Sequence, residues 1–324
     1  MALFLQMGLG TVVISPLIEV VMPTYNGVLF IEEQISSIFQ QTLRPYRLLV
    51  RDDGSTDGTL LLLERLKLIY GSWLVIMSCG LNKGCKFSIN SLLSHTTADY
   101  VALSDQDDVW LVDKMELAYA EIVRAETQNG REVPILIHTD LKIVGPNLEE
   151  YYGSFMCRQH LDPFLNSPHC VALTNIVTGC TMLINRPLIN KALPIPSQAL
   201  VHDWWIALVA SVFGKIIYIP ISTILYRQHS NNLIGAKGLG FNYWSKRLYQ
   251  WLFNSASGSH TLDAISQINV LQSRYKVRIS ILPSLISLSK IERIRLLIST
   301  PLSAWPHKHG TLRTLAFYCW LLCY

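Results

Sequence analysis

Short apolar runs and helix-period segments alternate along the first 130 residues of the chain. Residues 18–22 form an apolar run that predicts a strand, after which Ile31, Ile35, Ile38 and Phe39 recur at helical spacing. Residues 46–51 predict a second strand, and Leu62, Leu66 and Ile69 mark a second helix. A third strand over 74–77 precedes a helix over 87–93, and a fourth over 100–103 precedes a helix over 113–126. Alternation of this kind argues for an α/β fold with a mostly parallel sheet and crossover helices.

The pattern then changes. Residues 134–138 and 171–184 read as strands, with an irregular, aromatic stretch over 147–168 between them. A helix is expected over 203–213 and short strands over 215–219 and 224–227. The glycine-rich segment 235–240 reads as a loop or linker. Beyond it the spacing is helical, with Tyr243, Trp244, Leu248, Trp251 and Leu252 on one face beside Lys246 and Arg247. Three regions follow: an N-terminal extension over 1–17, an α/β domain over 18–232 (halves 18–110 and 111–232), and a helical C-terminal region over 241–324.

Composition adjusts this picture in two ways. Hydrophobic residues make up 50% of the 324 and charged residues only 15%, which leans toward membrane association. The net charge is +4 with no dense Lys/Arg block, so nucleic acid is not an expected partner. Residues 1–18 carry no charge, but Gln6, Gly8, Gly10 and Pro16 interrupt them and no basic start precedes them. They read as an irregular extension rather than a span. The seven cysteines form no Cys-x-x-Cys pair, which suits reduced thiols in the cytoplasm.

Candidate chemistry concentrates at the ends of the expected strands. Ser104-Asp105-Gln106-Asp107-Asp108-Val109-Trp110 follows the apolar run 100–103 and places several carboxylates at the carboxyl edge of a sheet. Such charges repel, and a hard divalent cation carrying phosphates would compensate them. A solvated turn is the bland alternative. Pro23-Thr24-Tyr25-Asn26-Gly27 is a strand–turn–helix junction that lets backbone approach a base or ribose. In Arg51-Asp52-Asp53-Gly54-Ser55-Thr56-Asp57, helix capping accounts for Asp57 but does not require both Asp52 and Asp53. Asn82-Lys83-Gly84 offers a cation for a phosphate or base edge, or is simply a surface turn.

In this order and spacing, the four motifs resemble glycosyltransferase family 2, whose fold is GT-A, over roughly residues 18–232. The Ser-Asp-Gln-Asp-Asp-Val-Trp form is similar to the bacterial rhamnosyltransferase-like branch that builds surface polysaccharide. The resemblance implies an inverting, metal-dependent transfer of a sugar, rhamnose in that branch, from a TDP- or UDP-sugar to a glycan or lipid-linked acceptor. It implies nucleotide contacts from Pro23, Thr24, Tyr25, Asp52, Asp53, Asn82, Lys83 and Asp105. It also implies an Mg²⁺ or Mn²⁺ ion held by Asp105 and Asp107, with His229 as a further ligand.

A general base must take the acceptor proton. Val201-His202-Asp203-Trp204-Trp205 supplies Asp203, with His202 where the family usually has Glu; N-capping of the next helix is a compatible second role for Asp203. Trp110, Gly179, Trp204 and Trp205 are expected to line the acceptor pocket, with core packing the competing reading for the tryptophans. A sugar nucleotidyltransferase is disfavoured because residues 23–27 contain no Lys or Arg, and a catalytically inactive glycan- or lipid-binding relative because Asp105, Asp107 and Asp203 are all present. Segments 243–253 and 312–324 suggest peripheral contact with the inner face of the cell membrane.

Overall fold

The computed structural model describes residues 17–77, 81–229, 256–279 and 292. In chain order the elements begin β1 (Ile18–Thr24), α1 (Ile31–Phe39), β2 (Arg47–Asp52), α2 (Thr59–Tyr70) and β3 (Leu74–Met77). Next come α3 (Cys85–His95), β4 (Tyr100–Leu103), β5 (Val109–Trp110), α4 (Lys114–Asn129) and β6 (Ile135–Val144). Then follow β7 (Glu150–Tyr152), α5 (Phe155–Gln159), α6 (Pro168–Val171), β8 (Leu183–Asn185) and α7 (Arg186–Ala192). The remaining described elements are α8 (His202–Phe213), β9 (Lys215–Arg227) and α9 (Ala256–Tyr275).

All nine strands join one mixed sheet in the order β3-β2-β1-β4-β8-β6-β9-β5, with β7 pairing off β6. The first four are parallel, β8 runs antiparallel between β4 and β6, and β6 and β9 are parallel. The carboxyl ends of β1, β2, β4, β6 and β9 therefore share one edge, where an open α/β sheet collects ligands.

Side-chain alternation along the strands builds a core on each face. Val21, Leu49, Val101 and Leu103 pack toward α3, α7 and α8, while Val20, Met22, Leu48, Val50 and Ala102 pack toward α1, α2 and α4. Near-continuous apolar strands are what a sheet covered on both faces requires.

Three sequence expectations are corrected. Residues 171–184 are not one strand: the stretch leaves α6, passes through irregular chain and a 3₁₀ turn at Gly179–Thr181, and only then enters β8. Its apolarity reports burial, since Val171, Ala172, Leu173, Ile176 and Val177 are all core residues. The strands expected over 215–219 and 224–227 are one strand, β9. Pro220 and Ile221 fall where the register with β6 jumps from Thr139↔Ile219 to Asp140↔Ser222. Proline cannot donate to the ladder, and a bulge absorbs it. The 147–168 stretch, expected to be irregular, contains β7 and α5.

The described C-terminal helix packs on the sheet-and-helix body. Ile268 and Leu271 of α9 enter the core beside α8, Tyr275 meets Phe213 at 4.7 Å, and the Arg274 guanidinium lies 5.2 Å from the Trp205 ring. No helix among the described residues is long and apolar enough to cross a membrane. The extension over 1–16, the glycine-rich loop and the segments 243–253 and 312–324 lie outside the described residues.

Candidate functional site

The loops after β1 and β2 are fastened to each other. Asn26 takes a left-handed conformation (φ 50°), receives Thr56 N–H on its Oδ1 at 2.8 Å, and donates its own N–H to Ser55 Oγ at 2.8 Å. Asp57 accepts Val28 N–H at 3.1 Å and Thr59 N–H at 3.0 Å, so it fixes the turn leading into α2, whose N-cap is Gly58 and not Asp57 as capping would have it. Asp52 is fully buried and accepts N–H from Gly54 and Ser55 at 3.1 and 2.9 Å. Its expected contact with a nucleotide is therefore corrected to turn building.

Asp53 holds a second loop in place. Its carboxylate accepts Lys83 N–H at 3.1 Å, Gly84 N–H at 2.7 Å and the Arg51 guanidinium at 2.7 Å. Burial pushes its pKa up, but these donors outweigh it and the net shift is downward. Gly84 has φ +86°, which a glycine adopts without strain. Asn82 and Lys83 are exposed beside it, and the Lys83 ammonium lies 4.6 Å from the Phe87 ring. Thr24 is buried, Pro23 half-buried and Tyr25 exposed at the rim.

The acidic turn after β4 divides its carboxylates. Asp107 faces His229, with Oδ2 to Nε2 at 2.9 Å and both side chains about one-seventh exposed (15% and 14%). Asp108 is fully buried; its Oδ1 accepts Arg227 N–H at 3.3 Å, and its Oδ2 has no hydrogen-bond partner. Donor atoms of Asp105, Asp108 and Cys180 lie within 4.8 Å of one another. Asp105 is pushed up to about 7, first by burial and then by the charges of Asp107 and Asp203.

Two cations of the chain itself lie beside this turn. Arg227 donates Nε–H to Asp107 O at 2.9 Å and also bonds Glu33 and Pro146 O. Lys114 is fully buried with its ammonium 4.0 Å from the Trp110 ring, and burial lowers its pKa to about 8. Asp108 carries a buried carboxylate oxygen without a partner, and Asp105 has its pKa raised by burial and then by its like-charged neighbours; oxygen donors so placed fit a hard cation. Cys180, the third member, is buried, and burial raises its thiol pKa well above the usual value.

Asp203 sits in the first turn of α8. Its Oδ2 accepts Gly179 N–H at 3.2 Å and its Oδ1 accepts Trp204 N–H at 2.6 Å. Burial raises its pKa, opposed by His202 and these donors. Gly179 is packed closely: a Cβ there would meet His202 Nε2 at 2.9 Å. The other His202 nitrogen lies 4.0 Å from Cys85 Sγ, and burial lowers the His202 pKa. The Cys85 thiol is pushed up to about 12 by burial and then by Asp105, Asp203 and Asp53. Asp53, Asp105 and Asp203, from three separate motifs, are thus linked through the Gly84–Cys85 and Gly179–Cys180 turns at one place on the sheet edge.

The tryptophans do not line that point as expected. Trp205 is fully buried and donates to Ala192 O at 2.8 Å, and Trp110 is a core residue under Lys114. Neither has a ring face open to a sugar, so core packing is the correct reading for both. Trp204 is half-buried, with its indole N–H on Val171 O at 2.5 Å.

Residues 19–129 match the model of Glycosyl transferase family 2. The chain carries a family 2 glycosyltransferase domain. The glycosyltransferase is 29% identical over 243 residues to a dTDP-rhamnosyl transferase of Shigella flexneri, covering 70% of this chain and 78% of that one. It is 27% identical over 177 residues to an Escherichia coli β-1,3-glucosyltransferase that acts on GlcNAc-diphosphoundecaprenol, covering 54% of this chain and 62% of that one. A mannosyltransferase from Pyrobaculum calidifontis, solved with GDP-Man and Mn²⁺, superposes with a TM-score of 0.52 at 17% identity over 96% of this chain and 86% of its own. Residues 1–349 of TarS from S. aureus, solved with UDP, give 0.51 at 18% identity over 65% and 60%. The fold of the glycosyltransferase is GT-A.

Sequence reasoning missed Gln106, the middle residue of the Asp-x-Asp pair. Its Oε1 accepts the Thr24 hydroxyl at 2.5 Å and Tyr25 N–H at 2.9 Å, while its Nε2 donates to Tyr25 O at 3.0 Å. The glycosyltransferase thereby ties its β1 loop to its acidic turn. Gly27 makes room, since a Cβ there would lie 2.3 Å from Gln106 Oε1. We expect Gln106→Ala to raise the donor KM about tenfold with a smaller change in kcat, the loss of three modest hydrogen bonds. Initial-rate kinetics with varied donor check this, and an unchanged donor KM would contradict it. Arg227 was also missed; an arginine at the end of a strand after acidic motifs was the available signal.

Proposed function

We propose that the chain transfers a sugar from a nucleoside diphosphate donor to a hydroxyl of a bacterial surface glycan or its lipid-linked precursor, with inversion at the anomeric carbon. The observation that carries this is the run of contacts joining three motifs: Asp53 accepts Gly84 N–H at 2.7 Å, Cys85 Sγ lies 4.0 Å from His202 Nδ1, Asp203 accepts Gly179 N–H at 3.2 Å, and the adjacent Cys180 lies within 4.8 Å of Asp105. It brings the nucleotide-side loops, the acidic turn and a candidate base within reach of one substrate.

The residues then have distinct tasks. Thr24, Tyr25 and the Asn82–Lys83 rim receive the nucleoside, and Asp53 acts by fixing that rim. Asp105 and Asp107, with His229, hold a divalent cation, Mg²⁺ or Mn²⁺, which when bound offsets diphosphate charge. Asp203 accepts the proton of the acceptor hydroxyl as its oxygen forms the bond to the anomeric carbon. The bond from that carbon to the diphosphate oxygen breaks, and the nucleoside diphosphate leaves with the electron pair. A carboxylate whose pKa is raised by burial is a stronger base for this than one in water.

A deoxythymidine diphosphate donor carrying rhamnose is the reading that the Shigella relative favours. The test is a panel of nucleotide sugars, TDP-rhamnose and UDP-glucose among them, incubated with Mg²⁺ or Mn²⁺. Ion-dependent release of the nucleoside diphosphate from TDP-rhamnose in preference to the others supports the rhamnose reading. Preference for another donor overturns it while leaving the reaction class standing, and no release from any donor counts against the reaction class.

A further inference from the structure

A second cleft lies apart from the acidic turn, where α5 and the chain after it cover the β6–β9 ladder. It encloses about 510 Å³ and is lined by Phe164, Tyr218, Pro163, Asp162, Ser154 and Ser222 among others. The lining contains no lysine or arginine, so the cleft offers nothing to a phosphate, a nucleotide or an anionic sugar. It does offer an aromatic corner. The Phe164 ring, 70% exposed, meets Tyr218 edge to face, with centroids 5.8 Å apart and planes at 85°.

That corner is rigid. Asp140 is buried and accepts hydrogen bonds from the Ser154 hydroxyl at 2.5 Å, Phe155 and Met156 N–H at 3.1 and 3.2 Å, and the Tyr218 hydroxyl at 3.3 Å. His138 closes on the Tyr218 ring at 5.1 Å. The turn that presents Phe164 is fixed by its N–H on Asp162 Oδ1 at 3.0 Å. A preformed pocket with aromatic faces, hydroxyls and carboxylates but no cation matches the two-sided surface of a neutral sugar. Its C–H face would lie on the rings and its hydroxyls would meet the oxygen acceptors.

Position relates the cleft to the reaction. Ser222 lies on the strand that ends in Arg227, five residues on, a span of roughly 17 Å at the usual rise of a strand. We propose that this cleft binds a neutral segment of the glycan acceptor, distant from the hydroxyl that reacts. The proposal deepens the glycosyltransferase reading and rests on it for the identity of the chain, but sugar binding can be measured without any turnover.

The test is saturation-transfer NMR on the full chain without nucleotide or metal, using short neutral rhamno-, gluco- and galacto-oligosaccharides and a uronate-containing oligosaccharide as the anionic control. We expect at least one neutral oligosaccharide to bind, the anionic one not to, and Phe164→Ala to weaken binding about tenfold. Phe164 is exposed, so its removal leaves the core intact, and unchanged nucleotide affinity in the variant verifies this. Binding of no neutral oligosaccharide, equal binding of the anionic one, or equal binding by F164A overturns the proposal. None of these outcomes bears on nucleotide-sugar turnover, and failed turnover leaves the binding result readable.

Discussion

Asp203→Asn lowers kcat for glycosyl transfer by about 10²–10⁴-fold, the usual worth of a positioned general base, while the affinity for nucleotide stays at the wild-type level. The amide keeps the size of the carboxylate and can still accept the Gly179 N–H that Asp203 Oδ2 receives at 3.2 Å. What it loses is the capacity to take a proton, and with it the second acceptor oxygen, which in wild type receives Trp204 N–H at 2.6 Å. Because burial raises the pKa of Asp203, the acidic limb of kcat/KM should lie above the ordinary carboxylate range, with activity rising as pH increases and the group ionises. Rates across pH for wild type and variant, beside calorimetric nucleotide titrations, check both statements. Wild-type turnover in the variant removes Asp203 from the base role.

Asp107→Ala abolishes the gain in nucleotide affinity that Mn²⁺ or Mg²⁺ provides, a loss of at least about 10–100-fold in the presence of the ion. Asp107 is singled out among the three carboxylates by its surroundings. Asp108 is fully buried and carries the backbone of Arg227, and Asp105 is crowded by its neighbours. Only Asp107 combines partial exposure with a second ligand-type group, His229, at 2.9 Å. Calorimetry of UDP or TDP with and without MnCl₂ reads the effect. An ion-dependent gain that survives in the variant contradicts the assignment.

Strand–helix alternation through residue 129 was legible because parallel strands must be apolar on both faces and their helices amphipathic, so the period itself changes at each boundary. Residues 171–184 were not, because a buried irregular segment is as apolar as a strand. Pro220 disguised one long strand as two. At the site, the apolar run before them put Asp105 and Asp107 after β4 at the carboxyl edge of the sheet, where the structure has them, but spacing could not divide labour between neighbours. Asp52 and Asp53 are adjacent in sequence, yet one closes its own turn and the other reaches across to the turn at 82–84. Spacing also does not show that Arg227 and buried Lys114 lie beside the acidic turn, because one is distant in sequence and the other hidden in a helix. Trp205 could not be told from a sugar platform by composition, because only tertiary packing shows that both its faces are covered.

Single displacement, with Asp203 as base on one side and the diphosphate leaving from the other, fixes the stereochemistry of the product. The anomeric configuration of the sugar first released from the preferred nucleotide sugar, followed by ¹H NMR before mutarotation, tests this most directly. The account predicts the configuration opposite to that of the donor; a first-formed product that retains the donor configuration would contradict it.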